Sequence, residues 1–116
     1  MTDFETLVAA VRKFAEERDW EQFHTPKNLA MAIAGEAGEL VAELQWSDGA
    51  RSTELVHEDA ELRTRIAYEM ADLLIYLARL ADVTGIDAMQ AAAEKLSINE
   101  SRFLKPEVSE PPAQQG

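Results

Sequence analysis

Two acidic motifs in this sequence each place a pair of carboxylates three residues apart. The first pair is Glu36 and Glu39 in EAGEL, and the second is Glu69 and Asp72 in EMADL, 33 residues further on. Residues at i and i+3 are neighbours on a helix surface. On a helical wheel, both pairs fall at the border of an apolar arc rich in leucine and isoleucine. If two helices pack through these arcs, four carboxylates meet at one edge of the core.

Such a meeting of carboxylates is unfavourable without a partner, because like charges repel and lose hydration at the edge of a core. No Lys or Arg occurs between Lys27 and Arg51, so nothing on the first of these helices neutralises its acids. A divalent cation removes both costs, and ligands that are all oxygens suit Mg²⁺, with Mn²⁺ as an alternative. The spacing alone leaves a second interpretation open, in which the acids are solvated faces of amphipathic helices.

The elements that carry these motifs are predicted to be four helices in an all-α fold. Apolar residues recur at steps of three and four, and no strand-type alternation persists. The helices are expected at about 2–18, 26–46, 53–85 and 88–104, with Thr25 and Asp87 as N-caps and Gly85 as a terminator. A single domain is predicted over residues 1–105, followed by a disordered, proline-containing tail over residues 106–116.

Composition and charge exclude several classes of function. The chain has 116 residues, enough for one domain, and its 47% of hydrophobic residues is typical of a globular protein. It contains no cysteine, which excludes disulfides and thiolate metal sites. The net charge of −11 disfavours binding to nucleic acid or to anionic membranes. No leader or membrane-spanning stretch is visible, so we expect a cytoplasmic, soluble protein.

Three segments together carry a resemblance to a known family. They are RDWEQFHTPKNLAMAIAGEAGELVAELQW, EMADLLIYLARLADVTGID and KLSINESRF, within residues 16–104. The chain resembles the MazG-like nucleotide pyrophosphatases, and within them the dCTP pyrophosphatase branch of the all-α NTP pyrophosphatase superfamily. The resemblance implies that Glu36, Glu39, Glu69 and Asp72 hold Mg²⁺. Many relatives have a doubled glutamate where this chain has Gly35 before Glu36, which leaves the number of metal ions open.

The resemblance also implies an activity. The expected reaction is hydrolysis of a nucleoside triphosphate between its α and β phosphates, giving the monophosphate and pyrophosphate. The branch favours dCTP or a modified cytosine deoxynucleotide, in a role of clearing the nucleotide pool. Glu36 and Glu39 are the first candidates to orient or deprotonate the attacking water.

Most residues on the substrate side are assigned by the same resemblance, whereas Lys27 and Asn28 are candidates from their positions in the sequence. Lys95, Asn99 and Arg102 match positions that contact phosphate and sugar, and Lys27 lies near a helix N-terminus, which favours anions. The predicted base pocket uses Trp20, His24, Asn28, Trp46 and Tyr76. Without the resemblance, the alternative interpretation is that the basic residues form an ordinary solvated helix face and that the tryptophans cover the edge of the core.

Two rival functions remain open at this point, and an assembly is expected. The rivals are a non-catalytic acidic helical interaction module and a redox metal protein built on a carboxylate bundle. The second and third predicted helices are apolar nearly all round, and a bundle of four helices cannot bury all of that apolar surface. We therefore expect a homodimer or homotetramer, as in the family, with pockets near the subunit contacts.

Overall fold

The computed structural model describes residues 3–106, and every regular element in that range is helical. This confirms the predicted all-α class. Two 3₁₀ turns, Glu21–Phe23 and Gly49–Arg51, lie between helices. The five α-helices are α1 (Phe4–Glu17), α2 (Pro26–Leu44), α3 (Ser52–Glu58), α4 (Ala60–Thr84) and α5 (Ala88–Arg102). None of these described helices is long and apolar enough to cross a membrane.

Helix ends follow the capping residues of the sequence. Thr25 accepts a hydrogen bond from the Asn28 amide at the start of α2, and Asp87 caps α5 through the Gln90 amide, as predicted. Gly85 ends α4 with a φ of 70°, a left-handed conformation that favours glycine. Of the predicted tail over residues 106–116, all but the first residue lies outside the described residues.

The structure has five helices where four were expected, because the third predicted helix is divided. Asp59 adopts an extended conformation and its Oδ1 accepts hydrogen bonds from the amides of Glu61 and Leu62, so α4 begins afresh. At the end of α2, the helix stops at Leu44, whose carbonyl accepts from the Ser47 hydroxyl. Neither break contains proline, and each depends on a side chain that bonds to the backbone.

Helices α2 and α4 pack against each other along much of their length and run antiparallel. Arg65 near the start of α4 pairs with Glu43 near the end of α2, while Arg79 near the end of α4 bonds to His24 just before α2. Helix α1 packs on the second half of α4. The most buried apolar side chains join these three helices: Ala15, Leu29, Ile66, Ala78 and Ala81.

Helices α1–α4 belong to one compact unit that ends at Ile86, and α5 belongs to a second unit. Taken by itself, α5 carries Lys95, Asn99 and Arg102 at i, i+4 and i+7, which places them on one face. The predicted single domain over residues 1–105 stays a prediction.

Candidate active site

Three of the four predicted metal ligands meet between α2 and α4. One carboxylate oxygen each from Glu36, Glu69 and Asp72 lie within 4.8 Å of one another. The antiparallel packing brings the middle of α2 opposite the middle of α4, and the spacing of three residues puts both α4 acids on the facing side. We call these three residues the carboxylate cluster.

Glu39 lies outside the carboxylate cluster, and its side chain is exposed. It is three residues beyond Glu36, so it is turned by about 60° around the helix axis. Its negative charge still contributes to raising the pKa of Glu36. Glu39 therefore lies at the edge of the cluster, close enough to act on it electrostatically.

The cluster is electrostatically strained. The pKa of Glu36 is raised, first by the loss of hydration and then by the charge of Asp72, with further contributions from Glu69 and Glu39. The Oε2 atom of Glu69 is buried and has no hydrogen-bond partner among the described residues. A buried carboxylate oxygen without a hydrogen-bond partner destabilises the folded state, and a bound cation would remove that cost.

The donor set fits a hard divalent cation. All three groups are carboxylates, which Mg²⁺ and Mn²⁺ prefer, and no histidine belongs to the cluster among residues 3–106. Oxygens on one Mg²⁺ at about 2.1 Å lie within roughly 4.2 Å of each other, so only small side-chain rotations separate the observed arrangement from a shared ion. The cluster can therefore hold such an ion.

Glu43 differs from the cluster residues because it already has a cationic partner. Nε of Arg65 on α4 donates to Glu43 Oε1 at 2.9 Å. The sequence shows no basic residue on α2 beyond Lys27, but α4 supplies one across the interface. None of the ion pairs formed within residues 3–106 involves Glu36, Glu69 or Asp72.

A second polar group lies where His24 meets α4. Arg79 is only 5% exposed; its Nε donates to His24 Nδ1 at 3.0 Å and its Nη1 to Asp82 Oδ2 at 2.8 Å. The Trp20 ring is edge-on to the rings of His24 and Phe14, with centroid distances of 6.4 and 5.5 Å. The structure thus brings Trp20 and His24 together.

Arg79 and Asp82 are not among the site residues predicted from the sequence. A usable signal was present, since Arg79 is the single charged residue in the apolar run LLIYLARLA at residues 73–81. A charged side chain within an otherwise apolar stretch is either exposed or paired, and the sequence does not name a partner 55 residues away.

The remaining candidates occupy separate positions around α2 and α4. Asn28 donates from its side-chain Nδ2 to the Phe23 carbonyl at 3.0 Å, which ties the 3₁₀ turn to α2. Lys27 is exposed beside it. Tyr76 is half-buried and lies one turn beyond Asp72 on α4. The structure thus gives Asn28 a local hydrogen bond and places Tyr76 between the carboxylate cluster and Arg79.

Trp46 is far from Trp20 within one chain. The 19 residues of α2 separate the two ends at which they lie, a distance of about 28 Å at 1.5 Å per residue. The Trp46 side chain is 90% exposed. A cavity of about 310 Å³ lies near this end, and none of the predicted site residues lines it. Its lining residues are Leu44, Ser52, Thr53, Val56 and His57. One chain therefore does not place both tryptophans against the same base.

Known proteins resemble this chain in sequence and in structure, although no family model matches it. It is 41% identical to dCTP pyrophosphatase 1 of Homo sapiens and of Rattus norvegicus over 91 residues, which are 78% of this chain and 53% of each relative. The chain thus spans about half the length of these curated relatives. The crystal structure of a pyrophosphatase from Archaeoglobus fulgidus has a TM-score of 0.80 and 34% identity, covering 90% of this chain and 95% of its own. The chain belongs to the MazG-like nucleotide pyrophosphatases.

Membership of the MazG-like family confirms the resemblance drawn from the sequence. The chain has that all-α fold, and it presents the ExxE and ExxD motifs on two antiparallel helices. The binding roles assigned to Lys95, Asn99 and Arg102 on α5 stay predictions.

Proposed function

We propose that this MazG-like chain hydrolyses a nucleoside triphosphate to the monophosphate and pyrophosphate, using a divalent cation. The observation that carries the proposal is the carboxylate cluster, in which three acids meet and the Glu69 Oε2 is buried without a partner. The names of the relatives, dCTP pyrophosphatase and pyrophosphatase, support this reaction class. They also favour dCTP or a modified cytosine nucleotide as substrate, in a cytoplasmic enzyme that clears the nucleotide pool.

The proposed cofactor is Mg²⁺, with Mn²⁺ as a substitute. Glu36, Glu69 and Asp72 would hold the ion, and Glu39 would complete the site from its edge. When bound, the ion offsets the negative charge of the phosphates. A chain with a net charge of −11 needs such local positive charge to accept a polyphosphate.

Two residues of the chain are proposed to act on the attacking water. Hydrolysis requires a water aimed at phosphorus and a group that accepts its proton. Glu36 belongs to the carboxylate cluster, next to which the phosphates are proposed to bind, and this position makes it a candidate proton acceptor. Glu39 is exposed at the edge of the cluster and is the second group proposed to orient the water.

The order of residues along α4 suggests how the substrate lies. Asp72, Tyr76 and Arg79 follow each other on one stripe of the helix, and Asp72 and Arg79 are separated by about 10 Å along the axis. We place the phosphates at the carboxylate cluster and the base towards Tyr76, Trp20 and His24. Lys27 at the start of α2, and Lys95, Asn99 and Arg102 on α5, are proposed to bind phosphate and sugar.

We further propose that the enzyme is a homodimer or homotetramer and that Trp46 reaches a pocket of a second copy. Within one chain, Trp46 lies at the wrong end of α2 to join Trp20. Large apolar side chains on α2 and α4 are exposed, including Met31 at 64% and Met70 at 53%. Faces of this kind support contact between copies. A monomeric mass by light scattering at micromolar concentration would contradict this proposal.

The decisive experiment is a pyrophosphate-release assay over a panel of canonical and modified nucleoside triphosphates. We expect Mg²⁺-dependent release that EDTA abolishes, with cytosine deoxynucleotides preferred. The Glu36→Gln/Glu39→Gln double variant should lose orders of magnitude in kcat, while the exposed control Glu61→Gln should behave like the parent. Full activity in the double variant would disprove the proposed site. Equal rates for all bases, or a purine preference, would disprove the dCTP assignment.

The same material tests the two rival functions. A non-catalytic interaction module predicts no stabilisation by nucleotide at any concentration of Mg²⁺. A redox metal protein predicts oxygen consumption after loading with iron and none of the proposed turnover with Mg²⁺ alone.

A further inference from the structure

Arg79 is the one charged residue that is buried among residues 3–106, where it is 5% exposed. Burying a guanidinium is costly unless its donors are satisfied. One of its bonds, to Asp82, supplies the opposite charge at 2.8 Å. The other goes to His24, a neutral group 55 residues away in the sequence, at 3.0 Å. Charge neutralisation alone does not account for this second bond.

The bond to Arg79 determines the protonation of His24. A guanidinium has donors only, so the Nδ1 atom that receives its Nε–H must carry a lone pair and no proton. The imidazole is therefore neutral and its proton resides on Nε2. Burial and the adjacent guanidinium both lower the pKa of His24, in agreement with this geometry.

The charged groups around His24 form one chain of contacts. Arg79 faces its ring from α4, Asp82 holds the other side of the guanidinium, and Arg12 on α1 donates to Asp82 through both Nε and Nη2. Hydrogen bonds from Arg12 are the largest cause of the lowered pKa of Asp82, so this acid stays ionised while His24 titrates. Within this network, His24 is the group that can change its charge, at a pH below the ordinary range of histidine because its pKa is lowered.

We propose that Arg79 is a positioning residue that fixes His24 as a neutral Nε2–H donor for a hydrogen-bond acceptor on the base or sugar of the nucleotide. This assignment rests on the function proposed above. Arg79 lies two turns beyond Asp72, so His24 serves the end of the substrate that is remote from the triphosphate. Trp20, edge-on to the His24 ring, is held by the same turn of chain.

The test replaces Arg79 with methionine, which keeps an unbranched stem, lacks the guanidinium and suits a buried position. It follows His24 by ¹⁵N NMR with the protein uniformly labelled. In the parent we expect the Nε2–H tautomer and a pKa below the ordinary value. In Arg79→Met, the pKa should rise towards about 6.5 and the preference between tautomers should weaken. His57 is the only other histidine of the sequence, and its signals should not move.

Steady-state kinetics supply the second measurement. Arg79→Met should raise KM for the preferred nucleotide about tenfold at pH 7.5 and leave kcat within about twofold, because one oriented hydrogen bond is lost. The inflection in the pH profile of kcat/KM that belongs to His24 should shift upward with its pKa. Arg63→Met is the matched control, since the Arg63 Nη1 atom lies 3.5 Å from His57 Nδ1 instead.

Arg79→Lys keeps the buried charge beside Asp82 but lacks the Nε–H aimed at His24. It should reproduce the KM increase and the altered tautomer, and it replaces the methionine variant if that variant does not fold. Unchanged His24 signals in either folded variant, or a loss of kcat with KM unchanged, would overturn the proposal. An altered tautomer in a protein that neither binds nor hydrolyses nucleotide would overturn the nucleotide assignment and the proposed function, and leave the bond itself intact.

Discussion

Replacing Asp72 with asparagine separates a metal-binding cluster from an ordinary acidic surface. The change keeps the size of the side chain and removes one of the three charges that meet between α2 and α4. Two unit charges 4.8 Å apart repel by about 0.9 kcal/mol even at the dielectric constant of water. Asp72 takes part in two of the three pairs, and its charge is one cause of the raised pKa of Glu36. We therefore expect the free energy of unfolding in EDTA to rise by about 1 kcal/mol.

Magnesium should reverse the order of stability. At a Mg²⁺ concentration of 100 times the parent's Kd, binding stabilises the parent by about 2.7 kcal/mol. If losing a ligand weakens binding a hundredfold, the variant gains only about 0.4 kcal/mol at that concentration. Urea denaturation in EDTA and in Mg²⁺ measures all four free energies, and pyrophosphate release should fall by orders of magnitude in the same variant.

Glu61→Gln is the control for Asp72→Asn, because Glu61 is exposed in the first turn of the same helix. It should cost a few tenths of a kcal/mol through the helix dipole and respond to Mg²⁺ like the parent. Asp82 does not serve as a control, since it pairs with Arg12 and Arg79. The reasoning would be refuted if Asp72→Asn lost several kcal/mol in EDTA or kept the full Mg²⁺ response.

Three more perturbations have expected outcomes. In the metal-free protein, Glu36→Gln should be more stable than the parent at pH values above the raised pKa of Glu36. This advantage should vanish as the pH falls through that pKa towards 4.5, because the folded parent then takes up its proton; urea midpoints across pH check this. Asp82→Ala should cost about 3 kcal/mol in urea unfolding by leaving buried Arg79 without its counterion, and a loss below 1 kcal/mol would contradict it. Gly85→Ala should lower stability by about 1 kcal/mol, because alanine is strained at positive φ; an unchanged melting temperature would argue otherwise.

Much of this fold follows from local signals in the sequence. Thr25, followed by Pro26, and Asp87 mark helix starts, because their side-chain oxygens accept hydrogen bonds from backbone amides three residues further on. Gly85 marks a helix end, where its own amide donates to carbonyls of the last turn. The break at Asp59 was not expected, because an aspartate inside a polar stretch is compatible both with a continuous helix and with a cap. The choice between them depends on how α3 and α4 pack, which no local pattern contains.

The carboxylate cluster shows the same division between local and long-range information. Spacing of three residues identified its members, but the sequence did not distinguish Glu36, inside the cluster, from Glu39 at its edge. That difference comes from the rotation of α2 against α4. Arg79 and His24 were beyond sequence reasoning as a pair, since their contact exists only once the two helices are antiparallel.

Helix α1 supports the His24 region as well as covering the core, because its Arg12 shares Asp82 with Arg79 of α4. Arg12 and Phe14 belong to α1, and they reach Asp82 and Trp20 respectively. A shortened version of the protein that begins after α1 would keep every residue of the carboxylate cluster. It would nevertheless leave one side of Asp82 unbound and remove the ring against which Trp20 packs. Such a shortened protein is therefore expected to keep the proposed metal site and to lose part of the proposed discrimination between bases.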